Sequence, residues 1–390
     1  MDKPYYPHNG ISSIQSLAKT LGIHPSLLVD IASKTTDSYT EFQITSKNGK
    51  IRTVYDPKYE LKRIQKNINQ KILEKVEYPT YLQGGIRDLE NRRSYVDNAG
   101  IHAGSNHILS LDIKNFYDNI RPEKVKEIFL YFFKFSDETS ELLTKLVTLG
   151  NKVPQGACTS SYIANLVFFN SEYRIFSELK SKGISYSRLL DDVTLSSRKH
   201  LSRDEASEHI RLVCSIFKKN GLRLNNKKTK NELKGSNPNF KVTGLWVEHK
   251  NPKIPKKERH HTRHLVYICE KEYAKSPSSE HYHQLWNKTS GQVAKLKQLG
   301  HSQHKQLRTR LKKILPILDE SSKKKLILDC KKLLHLERNA KERFGVLKRI
   351  NKCIYMLGIL SRSDKGLSSN LRRQLLKHFG DLPTHKDYWI

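Results

Sequence analysis

The feature that most constrains this chain is a pair of adjacent carboxylates, Asp191-Asp192, set between short apolar runs in Tyr186-Ser-Arg-Leu-Leu-Asp-Asp-Val-Thr-Leu-Ser196. Short runs rich in β-branched and apolar residues read as strands, so Ile184 to Ser196 predicts two strands joined at the acid pair. Taken by itself such a pair is a polar hairpin turn. A second strand, Ile108 to Phe116, delivers Asp112 at or near its end, where an acid needs a cation or water. Three acids from two such elements can converge on two Mg²⁺ ions roughly 3.5 to 4 Å apart, an arrangement that activates a hydroxyl and stabilises a leaving oxygen in phosphoryl transfer. Hard oxygen ligands suit Mg²⁺, which fills the rest of its shell with water and substrate phosphate.

The surrounding pattern is mixed. Ile14 to Ala18 and Leu27 to Ala32 predict short helices, Glu41 to Tyr55 a hairpin turning at Lys47-Asn48-Gly49, and Glu60 to Val76 a longer helix. Pro154-Gln155-Gly156 reads as a tight turn into a helix, with Gly156 expected to let a nucleotide or template base approach the backbone. Helices beside an antiparallel sheet imply an α+β class.

Charge then limits the partners. The 390 residues carry 71 Lys and Arg against 39 Asp and Glu, a formal +32, which favours a polyanion and nucleic acid first among them. Residues 255–390 hold 31 of the basic and 12 of the acidic side chains, so this last third carries +19. The stretch Asn251-Pro-Lys-Ile-Pro-Lys-Lys257 predicts a domain junction, because two close prolines break any helix or central strand. Beyond it Leu311, Ile314, Leu315 and Leu318, then Leu326, Ile327, Leu333 and Leu334, recur at helical spacing, and Lys323, Lys324 and Lys325 are candidate phosphate contacts. No apolar run reaches the roughly 18 to 20 residues that span a bilayer, and the first residues lack a signal pattern, so no membrane contact and a cytoplasmic location are expected. The five cysteines lie far apart without a C-x-x-C and read as reduced, packed thiols. His260, His261 and His264 have no complementary ligand at a metal-site spacing and read as polar residues facing nucleic acid.

The order of the blocks carries a resemblance. Asp112 with an aromatic five residues on, Pro154-Gln-Gly156, Asp191-Asp192, Leu224-Asn-Asn-Lys-Lys-Thr229 and Val242-Thr-Gly-Leu245 resemble, in sequence order and spacing, the palm motifs of bacterial reverse transcriptases. The likeness extends upstream through Gly49-Lys-Ile-Arg52 and Asp56-Pro57 and covers roughly residues 10–250. Asn98-Ala-Gly-Ile-His102 and Val242-Thr-Gly244 are similar to retron elements. Two departures stand out: Leu189-Leu190 replaces the usual Tyr-x before the acid pair, and Ser160-Ser161 replaces the usual Ser-Pro.

The resemblance implies a right-hand polymerase. Fingers would occupy 1–106, an antiparallel-sheet palm 107–250 with a helical insertion at about 121–152, and a basic helical thumb with a C-terminal extension 251–390. It implies two Mg²⁺ ions on Asp112, Asp191 and Asp192, Lys50 and Arg52 on the triphosphate, and Tyr117 as a steric gate against the ribose 2′-hydroxyl. Gln155 would position the incoming dNTP, and Lys228 would give charge or a proton to departing pyrophosphate, with a solvated lysine as the equal alternative. Implied partners are a non-coding RNA template, the RNA–DNA hybrid and dNTPs, with a protein partner or second copy left open. The implied setting is antiphage defence. The Leu189-Leu190 departure and the long C-terminal part tilt the reading towards a defence-associated enzyme close to retrons, with a retron enzyme that makes branched RNA–DNA as the alternative. A silent RNA-binding protein and a group II intron maturase compete. Retention of all three acids argues against the first, and the missing Cys/His endonuclease pattern lowers the second.

Overall fold

The computed structural model describes residues 2–46, 49, 51–88, 90–91, 93–235, 240–383 and 388. The chain divides into two compact units, Met1–Lys253 and Ile254–Ile390.

In the first unit, α1 (Ile14–Leu21) and α2 (Pro25–Ser33) precede a hairpin of β1 (Tyr39–Thr45) and β2 (Ile51–Pro57), followed by α3 (Tyr59–Lys71) and α4 (Tyr95–Ile101). Lys47 and Asn48 of the expected turn lie outside the described residues, but the register, Thr45 opposite Ile51, is that of a hairpin. Next come β3 (His107–Asp112), α5 (Phe116–Asn119), α6 (Pro122–Glu127), α7 (Asp137–Val147), α8 (Ser160–Leu166) and α9 (Glu172–Ser181). The unit closes with β4 (Ser185–Leu189), β5 (Asp192–Ser197), α10 (Arg203–Lys219), β6 (Lys230–Leu233), β7 (Lys241–Val242) and β8 (Leu245–Trp246). Helix starts follow local chemistry: the Ser13 side chain caps α1, and Ser202 with Glu205 forms a capping box on α10.

The central sheet is antiparallel in the order β4-β5-β3-β6. Strand β3 lies in its middle, with Ile108, Leu109 and Leu111 buried. The hairpin expected at Asp191-Asp192 forms one residue earlier than its sequence suggests. Leu190 and Asp191 make the turn, Leu190 with a left-handed φ of 60°, and Asp192 is the first residue of β5.

One buried polar network ties α4 to this hairpin. His102 Nδ1 lies 2.8 Å from Ser196 Oγ and Nε2 lies 2.8 Å from Ser187 Oγ, while Ser187 Oγ donates to Asn98 Oδ1 at 2.7 Å. Ser187 thus accepts from Nε2–H, and Nδ1 accepts from Ser196, a neutral imidazole with both nitrogens used. Burial pushes the pKa of His102 down to about 3. Its folded value lies below the unfolded value near 6.5, so its contribution is intact above pH 6.5 and is lost as pH falls. Between pH 7.5 and 5.5 this one group should cost about 1.4 kcal/mol of folding stability. Urea unfolding of wild type and His102→Gln at the two pH values checks this. A drop just as large in the variant would remove His102 as its cause.

In the second unit, α11 (Lys256–Lys275), α12 (Glu280–Gln298) and α13 (His304–Lys313) pack together, as do α14 (Glu320–Leu334), α15 (Phe344–Leu360) and α16 (Lys365–Phe379). The latter three share a core of Leu326, Cys330, Leu333, Ile350, Leu357, Leu371 and Leu375. Ile314, Leu315 and Leu318 do not continue a helix as their spacing predicts. α13 stops at Lys313, because Pro316 has no N–H to donate and its ring clashes with the preceding turn. Lys323 pairs with Asp364 at 3.1 Å and so is tied to its own fold. All five cysteines are free thiols. Among the described residues no helix is long and apolar enough to cross a membrane.

Candidate active site

The sheet register builds the acid cluster. Asp112, the last residue of β3 and only 5% exposed, stands directly opposite Asp192 across the β3–β5 ladder. The ladder continues past the acids: Ile113 N–H donates to Asp191 O at 2.9 Å, and Asn225 N–H donates to Asp112 O at 2.8 Å. Two side chains from the loop after α10 grip the Asp112 carboxylate. Asn225 Nδ2 donates to Oδ1 at 2.7 Å, and Lys228 Nζ pairs with Oδ2.

Three carboxylates crowded at one sheet end repel one another. Burial raises the pKa of Asp191, and the charge of Asp112 adds to the rise. Asp192 is pushed up to about 6, by burial first and then by Asp191 and Asp112. Lys228 is shifted upward by its hydrogen bond to Asp112. The site thus holds more negative charge than one lysine neutralises.

Arg52, Asp112, Tyr117, Gln155, Asp191 and Lys228 all line one cavity of about 580 Å³. Residues that span more than 170 positions of sequence meet there. Asp192 faces a neighbouring cavity of about 380 Å³ that Asp112, Lys227, Lys228 and Lys230 also line. Lys50, expected beside Arg52, lies outside the described residues. Tyr117 packs against the main core and Phe116, and burial pushes its hydroxyl up to about 12.

Gly156 serves a different neighbour from the one its sequence context suggests. Its φ is +104°, and a Cβ there would lie 2.5 Å from Val54 Cγ1 and 3.0 Å from Tyr55 O. The close approach is to strand β2, whose Tyr55 N–H donates to Gln155 O at 2.8 Å. The turn therefore docks the β1–β2 hairpin against the cavity wall, which Gln155 and Arg52 both line.

Sequence reasoning missed three features. Asn225 lies within a recognised block, and its place three residues before Lys228 was the available signal. Lys152, which donates to Tyr55 Oη at 3.1 Å and stands 4.7 Å from that ring's centre, had none. Arg188 was legible as a charge at an inward position of an apolar strand. It is fully buried, and its five N–H groups meet five acceptors. Nε and Nη2 donate to Glu172 at 2.6 and 2.7 Å, Nη2 to Asn165 O at 2.9 Å, and Nη1 to Ala164 O and Leu190 O at 3.2 Å. Tyr186 Oη also donates to Glu172, at 2.7 Å. Arg188 thereby holds the carbonyl of the turn residue that precedes Asp191.

Comparison with known proteins gives this geometry its family. The model of the reverse transcriptase (RNA-dependent DNA polymerase) family matches residues 44–266. The chain is 43% identical to the retron Se72 reverse transcriptase of Salmonella heidelberg, over 96% of this chain and 98% of that protein. It is 32% identical to the retron Ec48 reverse transcriptase of Escherichia coli, over 81% of this chain and 79% of that one. The chain belongs to the retron-type reverse transcriptases. It is an RNA-directed DNA polymerase that uses an RNA template and deoxynucleoside triphosphates. Since the Se72 relative matches nearly end to end, the length of the C-terminal part does not set this chain apart from retron enzymes.

Enzymes of this family use divalent metal ions. Among the described residues no three His, Cys, Asp or Glu side chains form a ready metal cluster. The donor chemistry nevertheless fits: Asp112, Asp191 and Asp192 offer hard oxygens only, and burial first and then their mutual repulsion raise the pKa of Asp191 and Asp192, a penalty on their charge that a divalent cation would relieve.

Proposed function

We propose that the cavity bounded by Asp112, Asp191, Arg52, Tyr117, Gln155 and Lys228 is the polymerising centre, and that the enzyme copies a cognate non-coding RNA in bacterial antiphage defence. The observation that carries the site assignment is the convergence of these widely separated residues on one cavity at the end of the acid-bearing strands. Asp112 and Asp191 would hold two Mg²⁺ ions, with Asp192 as neighbour and further ligand. Bound there, the ions would supply charge neutralisation and a lowered pKa for the attacking hydroxyl.

The chain's own groups do the rest. Arg52, with Lys50 as its expected companion, takes the triphosphate through forked donors. The Tyr117 ring crowds the ribose 2′ position, and Gln155 orients the nucleotide. Lys228 Nζ, whose side chain is 53% exposed, can face departing pyrophosphate with charge or a proton. The lysine-lined cavity beside Asp192 suits the phosphates of the primer end. In this reading residues 1–106 are the fingers, 107–250 the palm and 251–390 a basic thumb and extension that grips RNA and the RNA–DNA hybrid by their phosphates. The setting proposed is the cytoplasm.

The similarity to retron enzymes over nearly the whole chain supports priming from an RNA 2′-hydroxyl and a branched RNA–DNA product. DNA extracted from cells expressing the enzyme with its neighbouring RNA should change mobility on treatment with debranching enzyme and with ribonuclease, and stay unchanged with protease. A shift with protease alone would replace this priming chemistry by a protein hydroxyl.

A further inference from the structure

A third cavity, on another side of the catalytic one, has a different character. It is an open pocket of about 500 Å³, and four cations, Lys114, Arg121, Lys124 and Arg223, line it, the rest of its wall being asparagine and glycine. No carboxylate and no apolar side chain faces it. Lys124 is neutralised by Glu127 at 2.7 Å. Among the described residues Lys114, Arg121 and Arg223 have no carboxylate within ion-pair distance; Arg121 reaches only a backbone carbonyl, Asn151 O, at 3.4 Å. Three uncompensated charges around so small a space repel one another, and an anion relieves that repulsion.

The position of the cavity narrows the choice of anion. Lys114 and Arg223 are joined through their backbones, Lys114 N–H donating to Arg223 O at 2.9 Å, directly beyond the ladder that ends at Asp112. Asn115, whose φ is +47°, lines both this cavity and the catalytic one. With the catalytic cavity assigned as above, each nucleotide addition would release a highly charged pyrophosphate on the other side of that residue. A nucleic acid backbone calls for a row of cations along an open track. Cations gathered around the rim of one open pocket, rather than strung along a row, suit a compact polyanion.

We propose that this cavity is a pyrophosphate-binding pocket, separate from the metal-binding acids, that receives the leaving group of the polymerisation reaction. The proposal rests on the assignment of the catalytic cavity above, and the test separates the two. Equilibrium dialysis of labelled inorganic pyrophosphate against the full-length chain, freed of nucleic acid and held in EDTA, reads binding that needs no metal. Wild type should bind. Lys114→Gln with Arg223→Gln should bind at least about tenfold more weakly with an unchanged melting temperature, and Lys114→Arg with Arg223→Lys should restore binding. Asp191→Asn with Asp192→Asn should bind as wild type does. No metal-free binding by wild type, or equal binding by the glutamine variant, would overturn the pocket. So would a glutamine variant that keeps pyrophosphate and loses only RNA affinity. Undiminished DNA synthesis by the asparagine variant would sink the catalytic assignment instead, and leave the binding result standing.

Discussion

Asp191→Ala combined with Asp192→Ala should reduce DNA synthesis at least about 10³-fold and leave RNA affinity nearly unchanged. In the division of labour proposed above the acids serve the chemistry and the basic C-terminal third holds RNA, so the two effects separate. The acids close a sheet end within residues 107–197, whereas residues 255–390 alone carry +19. Removing two carboxylates takes away hard oxygen ligands without deleting a single Lys or Arg. It also removes the burial penalty and the mutual repulsion that together push Asp192 up to about 6, so the variant should fold at least as stably as wild type. A loss of synthesis therefore cannot be laid to unfolding. Primer extension and filter binding on the same preparation, with a urea unfolding curve, measure all three quantities. Extension at the wild-type rate would remove these acids from the chemistry, and a parallel loss of RNA binding would mean that they serve the RNA instead.

What was legible in the sequence follows from what is local. The period-2 pattern of Ile184 to Ser196 and the buried run at Ile108 gave the strands that carry the acids, since a strand's alternation is written in its own residues. The family-like order of short blocks then brought Arg52, Tyr117, Gln155 and Lys228 into one site, a long-range statement that periodicity alone does not contain. The failures are equally specific. The turn falls at Leu190-Asp191, since buried Arg188 anchors the Leu190 carbonyl and the left-handed Leu190 starts β5 at Asp192. Gly156, expected to leave space for a nucleotide, also makes room for Val54, a contact set by packing of two segments about 100 residues apart that local pattern does not show. Lys323, a candidate phosphate contact, also pairs with Asp364, a partner that its local pattern does not announce, because a lysine on a basic helix takes whatever carboxylate the tertiary fold brings near. Tertiary partners of charged residues leave little trace in local pattern.

Arg188→Met should destabilise the first unit by about 3 to 5 kcal/mol, the largest stability effect expected of any single substitution in it. The pair with Glu172 is fully buried, so removing the guanidinium strands a carboxylate in a low-dielectric interior and also orphans the carbonyls of Ala164, Asn165 and Leu190. Glu172→Gln should also be costly: its single amide oxygen can serve Tyr186 Oη and Arg188 Nε, but its NH2 then faces the Nη2 donor and the buried cation loses its charge partner. If the cost arises chiefly from the stranded charge, Arg188→Met with Glu172→Leu should be more stable than Arg188→Met alone, and the double-mutant cycle should show strong positive coupling. Urea unfolding of wild type, Arg188→Met, Glu172→Leu and the double variant, followed by circular dichroism, gives that coupling directly. The same set separates folding from positioning. In the double variant the buried charge is gone, yet nothing holds the Leu190 carbonyl, so its kcat for nucleotide addition should stay well below wild type after stability has partly recovered. Recovery of kcat in step with stability would show that the guanidinium serves the fold alone and that the turn before Asp191 keeps its shape without it.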